Sequence, residues 1–190
     1  MTAFLTSLVV VAVAEFGDKT QLLSLLLATR YKKPWPIILA ILCATILNHA
    51  LAGWIGELVR THLDPAILRW VLGGSLLAVA LWTLKPDKFD DSPQKSGHYG
   101  VFVVSFIAFF LAKMGDKTQI ATVLLAAKYD SLVPVVLGTT TGMMIANVPA
   151  VLLGNFWADR IPLAAVRIVA ALLFAAMGVM ALLGIGIGVS

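Results

Sequence analysis

A polar stretch of five residues occurs twice in this otherwise apolar chain. The first copy is Gly17-Asp18-Lys19-Thr20-Gln21 and the second is Gly115-Asp116-Lys117-Thr118-Gln119, at an offset of 98 residues. The same offset brings Tyr31 onto Tyr129 and Pro36 onto Pro134. Apolar low-complexity sequence gives chance matches between alanines and leucines, but not this five-residue identity. The chain therefore contains an internal repeat, and the position of its two copies decides the fold.

The composition around the two copies indicates a membrane protein. Hydrophobic residues make up 60% of the 190 residues and charged residues 13%, with a mean hydropathy of +0.95, whereas soluble domains are about a quarter charged. Six apolar runs are long enough to cross a bilayer, and we expect continuous helices because backbone groups in lipid must be hydrogen-bonded internally. The predicted helices cover about 3–29, 35–59, 66–84, 99–127, 132–156 and 163–187. The predicted fold class is all-α, a polytopic membrane protein in the lipid bilayer.

Each copy of the repeat contributes three of these helices. Because three is odd, the second copy enters the membrane upside down, which predicts two inverted three-helix repeats. The predicted organisation is a single membrane domain over 1–190, with repeat one at 1–84, a polar linker at 85–98 and repeat two at 99–190. Inverted repeats place transport sites near the middle of the bilayer, where the two halves meet.

The basic residues predict the orientation of the chain. By the positive-inside rule, the more basic set of loops, which includes the linker 85–98, is cytoplasmic, and both termini lie outside. That set holds Arg30, Lys32, Lys33, Lys85, Lys88, Lys95, Arg160 and Arg167, and the other set holds Arg60, Arg69 and Lys128. The scatter of these charges argues against nucleic-acid binding. The apolar start lacks the positive charge of a signal peptide, and we expect a bacterial inner membrane location.

Acidic residues inside the apolar helices are the strongest functional signal. Glu15 lies about twelve residues into its helix, where an ionised side chain costs several kcal/mol unless it is paired or hydrated. On a continuous helix Glu15, Asp18 and Gln21 share one face. Asp116 and Gln119 repeat this pattern in the second half. If the two helices cross, oxygen atoms from both could bind one cation.

Oxygen ligands of this kind suit Ca²⁺, Mg²⁺ and Mn²⁺. Asn48 aligns with Asn147 after one inserted residue, and both join the candidates. The predicted metal ligands are Glu15, Asp18, Gln21, Asn48, Asp116, Gln119 and Asn147. His49 is either a hydrogen-bonded packing residue or a ligand. With a single cysteine, Cys43, the chain offers no Cys-based metal site, and we expect no resident cofactor.

Other residues of the two copies are candidates for modulating such a site. Lys19 and Lys117 could pair with the aspartates in a purely structural role. Thr20 and Thr118 either bond back to helix carbonyls or contribute hydroxyl oxygens. The glycines before the aspartates either allow close helix packing or create a local break.

The stretch Glu15-Phe16-Gly17-Asp18-Lys19-Thr20 resembles the Glu-x-Gly-Asp-(Lys/Arg)-(Ser/Thr) signature of a transporter family, that of bacterial manganese exporters and Golgi manganese/calcium transporters. The resemblance covers nearly all of the chain. It implies a transporter rather than an enzyme, carrying Mn²⁺ or Ca²⁺ out of the cytoplasm, with proton exchange in at least some members. It also implies metal ligands at Glu15, Asp18 and Asp116. Alternating access of one central site is the expected mechanism, and the oligomeric state is not predicted.

One position departs from the family pattern, because Lys113 stands where the second signature should begin with Glu. The two signatures then carry three carboxylates and three ammonium groups, a nominally neutral site. Our hypothesis is that the Lys113 ammonium acts as a tethered cation near the carboxylates, weakening metal binding or favouring one conformation. The alternative is that Lys113 turns toward a helix interface and leaves the site alone.

Two other functions remain open from the sequence. A carrier of small organic cations or amino acids could use a similar inverted plan, but its pocket would need aromatic or apolar residues. An intramembrane aspartyl protease also uses Gly-Asp elements on helices. Its Gly-x-Gly-Asp form is absent here, because Glu15-Phe16 and Lys113-Met114 precede the two Gly-Asp pairs.

Overall fold

The computed structural model describes residues 1–85, 100–153 and 163–185, and every regular element in these ranges is a helix. The all-α prediction is confirmed for these residues. The eight helices are α1 (Thr2–Glu15), α2 (Lys19–Tyr31), α3 (Pro34–His62), α4 (Pro65–Leu84), α5 (Val101–Lys113), α6 (Lys117–Tyr129), α7 (Leu132–Leu153) and α8 (Leu163–Leu182). Nearly all of the predicted linker 85–98, the predicted helix ends at 99, 156 and 187, and the basic residues Lys88, Lys95 and Arg160 lie outside the described residues.

Within the described ranges, four helices are long and apolar enough to cross a membrane: Pro34–His62, Pro65–Leu84, Leu132–Leu153 and Ala164–Leu182. Two further apolar helices, α1 and α5, are shorter. Large apolar side chains such as Leu81 and Leu172 stay exposed on the outside of the bundle, as expected for surfaces that face lipid.

The two helices that carry the repeated motif are broken, and the prediction of continuous helices over 3–29 and 99–127 is wrong. The first is interrupted at residues 16–18, between α1 and α2, and the second at residues 114–116, between α5 and α6. At both breaks the glycine has a left-handed backbone, with φ of 74° at Gly17 and 70° at Gly115. Glycine adopts this conformation without the steric penalty of other residues, which explains its place before each aspartate.

A broken helix inside a membrane is costly when its backbone N–H groups lack a hydrogen-bond partner. At both breaks a side chain of the motif supplies such a partner. Gln21 Oε1 accepts a hydrogen bond from the Gly17 N–H at 2.8 Å, and Gln119 Oε1 accepts one from the Gly115 N–H at 2.7 Å. Irregular backbone is tolerated at membrane depth where protein surrounds or satisfies it. Each copy of the motif therefore encodes a helix break together with the side chain that stabilises it.

Helices from each half of the chain pack against helices of the other half. α1 and α2 pack against α7 of the other half, and α5 and α6 pack against α3. α3 also contacts α7, and α4 pairs with α8. This arrangement brings the break between α1 and α2 against the break between α5 and α6, because α2 contacts α5 and α6 contacts α1.

Glycines allow two of these helix pairs to approach closely. A Cβ on Gly142 of α7 would lie 2.5 Å from the carbonyl oxygen of Leu8 in α1. A Cβ on Gly56 of α3 would lie 2.2 Å from the carbonyl oxygen of Val123 in α6. Small residues at such contacts let membrane helices pack backbone to backbone.

An ion pair also joins α3 to the end of α6. Arg60 Nη2 lies 2.7 Å from Asp130 Oδ1, and the Asp130 side chain is 61% exposed. Exposed ion pairs contribute about 0–1 kcal/mol, so we expect Arg60→Ala to lower the free energy of unfolding by less than about 1 kcal/mol. Denaturant unfolding of the purified protein in detergent measures this change. A loss of several kcal/mol would show that the pair holds the two helices together.

Candidate functional site

Charged side chains next to both helix breaks lie at the centre of the bundle. Glu15 is the last residue of α1, and Asp18 precedes the first turn of α2. Lys113 and Asp116 occupy the equivalent positions at the end of α5 and the start of α6. All four are buried, with exposed fractions of 3% or less. The structure therefore concentrates ionisable groups where the two halves meet.

The three predicted carboxylate ligands lie together. One carboxylate oxygen from each of Glu15, Asp18 and Asp116 can be chosen so that all three lie within 4.8 Å of one another. Oxygen atoms bound to one hard divalent cation at about 2.0–2.6 Å lie at most about 5 Å apart. The spacing thus fits a single ion held by both halves of the chain.

Lys113 lies among these carboxylates. Its Nζ is 2.7 Å from Glu15 Oε2 and 2.7 Å from Asp116 Oδ2, and it donates to Thr118 Oγ1 at 2.6 Å. The side chain is 1% exposed. Lys113 therefore does not turn toward a helix interface, the alternative that its sequence position left open.

The two other lysines pair across the halves. Lys19 Nζ lies 3.5 Å from Asp116 Oδ1, and Lys117 Nζ lies 3.4 Å from Asp18 Oδ1. The ammonium group of each lysine thus pairs with the aspartate of the other motif copy. The Lys19 side chain is 30% exposed and that of Lys117 only 5%, so the two pairs differ in their access to solvent.

The threonine hydroxyls face the carboxylates. Thr20 donates to Glu15 and lies 3.3 Å from Asp18 Oδ2, and Thr118 donates to Asp116 Oδ2 at 3.1 Å. Bonds back to helix carbonyls are made instead by Ser24, to Thr20, and by Thr122, to Thr118. The predicted site omits this second layer of hydroxyls, although the 98-residue offset relates Ser24 to Thr122.

The two glutamine side chains of the motif make their hydrogen bonds to groups other than the carboxylates. Gln21 Nε2 donates to the Ala146 carbonyl at 3.0 Å and Gln119 Nε2 to Asn48 Oδ1 at 3.3 Å. Their oxygens accept the N–H groups of the breaks, so in this structure the glutamines support the backbone and do not point their oxygens at the carboxylates.

The two asparagines are placed differently from each other. Asn147 Nδ2 lies 3.3 Å from Glu15 Oε1, and Asn147 Oδ1 accepts from Ser24 at 2.7 Å. Asn48 instead donates to the Phe110 carbonyl at 3.2 Å, so its contact with the motif is through Gln119. His49 beside it is fully buried, and within the described ranges neither of its ring nitrogens has a hydrogen-bond partner.

Comparison with known proteins identifies the family of the chain. The family described as divalent cation/proton antiporter GDT1 matches residues 3–91 and 101–186. A Vibrio cholerae protein named "Putative manganese exporter" is 56% identical over 178 residues, covering 93% of this chain and 88% of that protein. GDT1-like protein sll0615 of Synechocystis is 32% identical over 193 residues, covering 92% and 93%. GDT1-like protein 4 of Oryza sativa subsp. indica is 30% identical over 198 residues, covering 90% and 70%. No solved structure matches the chain.

These matches decide between the classes of function that the sequence left open. The family resemblance drawn from the motif is confirmed, and a transporter family excludes the protease alternative. The apolar helices of the chain fit an integral membrane protein. With a family match over almost its whole length, the chain belongs to the GDT1 family of divalent cation/proton antiporters.

Proposed function

We propose that this protein exports Mn²⁺ from the cytoplasm in exchange for protons. The observation that carries the proposal is the meeting of three buried carboxylates, from Glu15, Asp18 and Asp116, within 4.8 Å. Carboxylate oxygens suit Mn²⁺ as well as Ca²⁺. The name of the 56% identical Vibrio protein favours manganese and export.

In this proposal α1 and α2 together form one membrane crossing, and α5 and α6 together form another. With α3, α4, α7 and α8 the chain then crosses six times, three times in each of the repeats 1–84 and 99–190, so the repeats are inverted. The packing between the halves supports this arrangement, because the first crossing of each half packs against the second crossing of the other. The basic loops favour a cytoplasmic linker 85–98 with both termini outside, and the Vibrio relative supports a bacterial inner membrane.

Glu15, Asp18 and Asp116 are the proposed ligands of the ion. Thr20 and Thr118 orient the carboxylates through their hydroxyl groups. Asn147 holds Glu15 from α7, at 3.3 Å. The remaining candidates act around the ion: Gln21 and Gln119 stabilise the breaks, Asn48 positions Gln119, and Lys19 and Lys117 balance the charge of the aspartates.

Protons and metal compete for the same carboxylate oxygens in this mechanism. Burial disfavours a charged carboxylate, while a bound metal favours it. Release of the metal therefore promotes proton uptake at the vacated carboxylates, and binding of the next metal expels those protons. Rocking of the two halves exposes the carboxylates first to one side of the membrane and then to the other.

The close helix contacts support the assignment of this structure to one state of the proposed cycle. In the proposed topology the start of α1 and α7 and the end of α3 and α6 all lie on the outer side. The contact of Gly56 with Val123 and the ion pair of Arg60 occur toward these ends of α3 and α6, and a Cβ on Gly138, in the first third of α7, would meet the Phe4 carbonyl oxygen of α1. We therefore assign the structure to a state that is closed toward the outside.

Flux through purified protein in liposomes tests the proposal. We expect a Mn²⁺ gradient to drive proton movement in the opposite direction, and an imposed pH gradient to drive Mn²⁺ uphill, because both ions use the same carboxylates. A Mn²⁺-sensitive dye and a pH dye inside the vesicles report both fluxes.

Antiport is rejected if Mn²⁺ moves without protons and does not respond to the pH gradient. Ca²⁺ flux without Mn²⁺ flux would reject manganese as the substrate, and competition by amino acids would favour an organic substrate.

A further inference from the structure

The Lys113 ammonium uses its full hydrogen-bonding capacity inside the candidate site. An ammonium group has three donors, and here they have three oxygen acceptors at 2.6–2.7 Å, on Glu15, Asp116 and Thr118. The side chain is 1% exposed, so these three oxygens take the place of solvent around the ammonium. The arrangement resembles a bound cation in a completed coordination shell.

The ammonium bridges the two halves of the chain in the way that a metal would. Glu15 belongs to the first motif copy and Asp116 to the second, and Lys113 Nζ lies 2.7 Å from an oxygen of each. A metal bound to the same two oxygens would lie at about 2.0–2.6 Å from them, in nearly the same place. Two positive centres cannot share this space, because their repulsion at such short range is large in a buried site.

The other two lysines do not occupy this position. Lys19 contacts Asp116 through Oδ1 and Lys117 contacts Asp18 through Oδ1, at 3.5 and 3.4 Å. Lys113 instead takes Oδ2 of Asp116, the oxygen that faces Thr118 within the second motif. Lys113 also stands at the sequence position equivalent to Glu15, so the second motif copy supplies a cation where the first supplies a carboxylate.

We propose that the Lys113 ammonium is a built-in competitor of the transported cation. It fills the position between Glu15 and Asp116 when these carboxylates hold neither metal nor proton, and an entering divalent cation must displace it. This inference rests on the proposed function, because it takes the three carboxylates to be the transport site. The expected consequence is weak metal binding, so that the protein transports only when the cytoplasmic cation concentration is high and releases its cargo readily.

Metal binding to Lys113 variants tests this role. We expect Lys113→Met to bind Mn²⁺ at least ~10-fold more tightly than the wild type, because it removes a positive charge from the site. Lys113→Glu is expected to bind more tightly still, since it adds a carboxylate at the position equivalent to Glu15. Lys33→Met makes the same change in net charge at an exposed residue and should leave the affinity unchanged. Equilibrium dialysis of radioactive Mn²⁺ against protein in lipid nanodiscs gives these affinities.

The outcomes separate this inference from the proposed function. If the wild type transports Mn²⁺ but neither folded Lys113 variant binds it more tightly, the competitor role is rejected and the transport site stands. If both variants fail to fold, Lys113 is a structural counter-ion and the competitor role is again rejected. If the wild type neither binds nor transports a divalent cation, the proposed function fails, and this inference fails with it.

Discussion

Replacing Asp18 or Asp116 by asparagine is expected to reduce Mn²⁺ flux to the level of protein-free liposomes. Either change removes one of three carboxylates and leaves three lysines facing two, so the empty site becomes positively charged. Each change also removes a carboxylate partner of a buried ammonium, Lys117 or Lys113, and breaking a buried pair costs about 3–5 kcal/mol. We therefore expect the apparent affinity for Mn²⁺ to fall by more than ~100-fold. Flux into liposomes that contain a Mn²⁺-sensitive dye measures the effect.

Asp64→Asn is the matched control for these variants. Asp64 caps α4 by accepting a hydrogen bond from the Ala66 N–H at 2.8 Å, and asparagine serves equally well at that position. The same chemical change outside the site should therefore leave flux intact. The proposed ligand set would be contradicted if Asp18→Asn and Asp116→Asn, folded and reconstituted to the same level, kept most of the wild-type flux.

Replacing Gly56 by alanine is expected to lower the free energy of unfolding by at least about 2 kcal/mol, a cost typical of overpacking. The new Cβ would lie 2.2 Å from the Val123 carbonyl oxygen and 2.9 Å from the Ala126 Cβ. Neither is the end of a flexible side chain, so α3 and α6 must move apart. Because α6 begins beside Asp116, this separation is also expected to reduce flux. Thermal or denaturant unfolding in detergent measures the loss of stability.

Gly74→Ala provides the comparison for Gly56→Ala. A Cβ at Gly74 of α4 would meet nothing within 4 Å, and alanine favours a helix over glycine by about 1 kcal/mol. This variant should be as stable as the wild type or slightly more stable. Equal stability of the two variants would show that the α3–α6 contact is not as tight as the structure has it.

The convergence of the carboxylates could be predicted from the sequence. An acidic residue deep in an apolar helix needs a partner, and the repeat offered one in the equivalent position of the other half. The repeat thus predicts that Glu15, Asp18 and Asp116 converge, and in the structure one carboxylate oxygen from each lies within 4.8 Å of the others. The hypothesis that Lys113 is a tethered cation follows from the charge count of the two signatures, three carboxylates against three ammonium groups.

The helix breaks could not be predicted from hydropathy. Apolar residues flank each motif on both sides, so the pattern is the same for a continuous helix and for two half-helices. Glu15 and Asp18 are close because the chain turns at Gly17, with a φ of 74°, and not because they share a face of one helix. The roles of Gln21 and Gln119 depend on this turn, because only a broken helix leaves backbone N–H groups for their oxygens.

A structure of the Mn²⁺-loaded protein, with the ion located by its anomalous scattering, tests the central claim most directly. We expect a single Mn²⁺ between the two breaks, with oxygens of Glu15, Asp18 and Asp116 at about 2.0–2.6 Å. Lys113 Nζ should have moved away from Glu15 and Asp116. A Mn²⁺ bound elsewhere, or an Asp18 and Asp116 turned apart toward lipid, would contradict a metal site shared by the two halves.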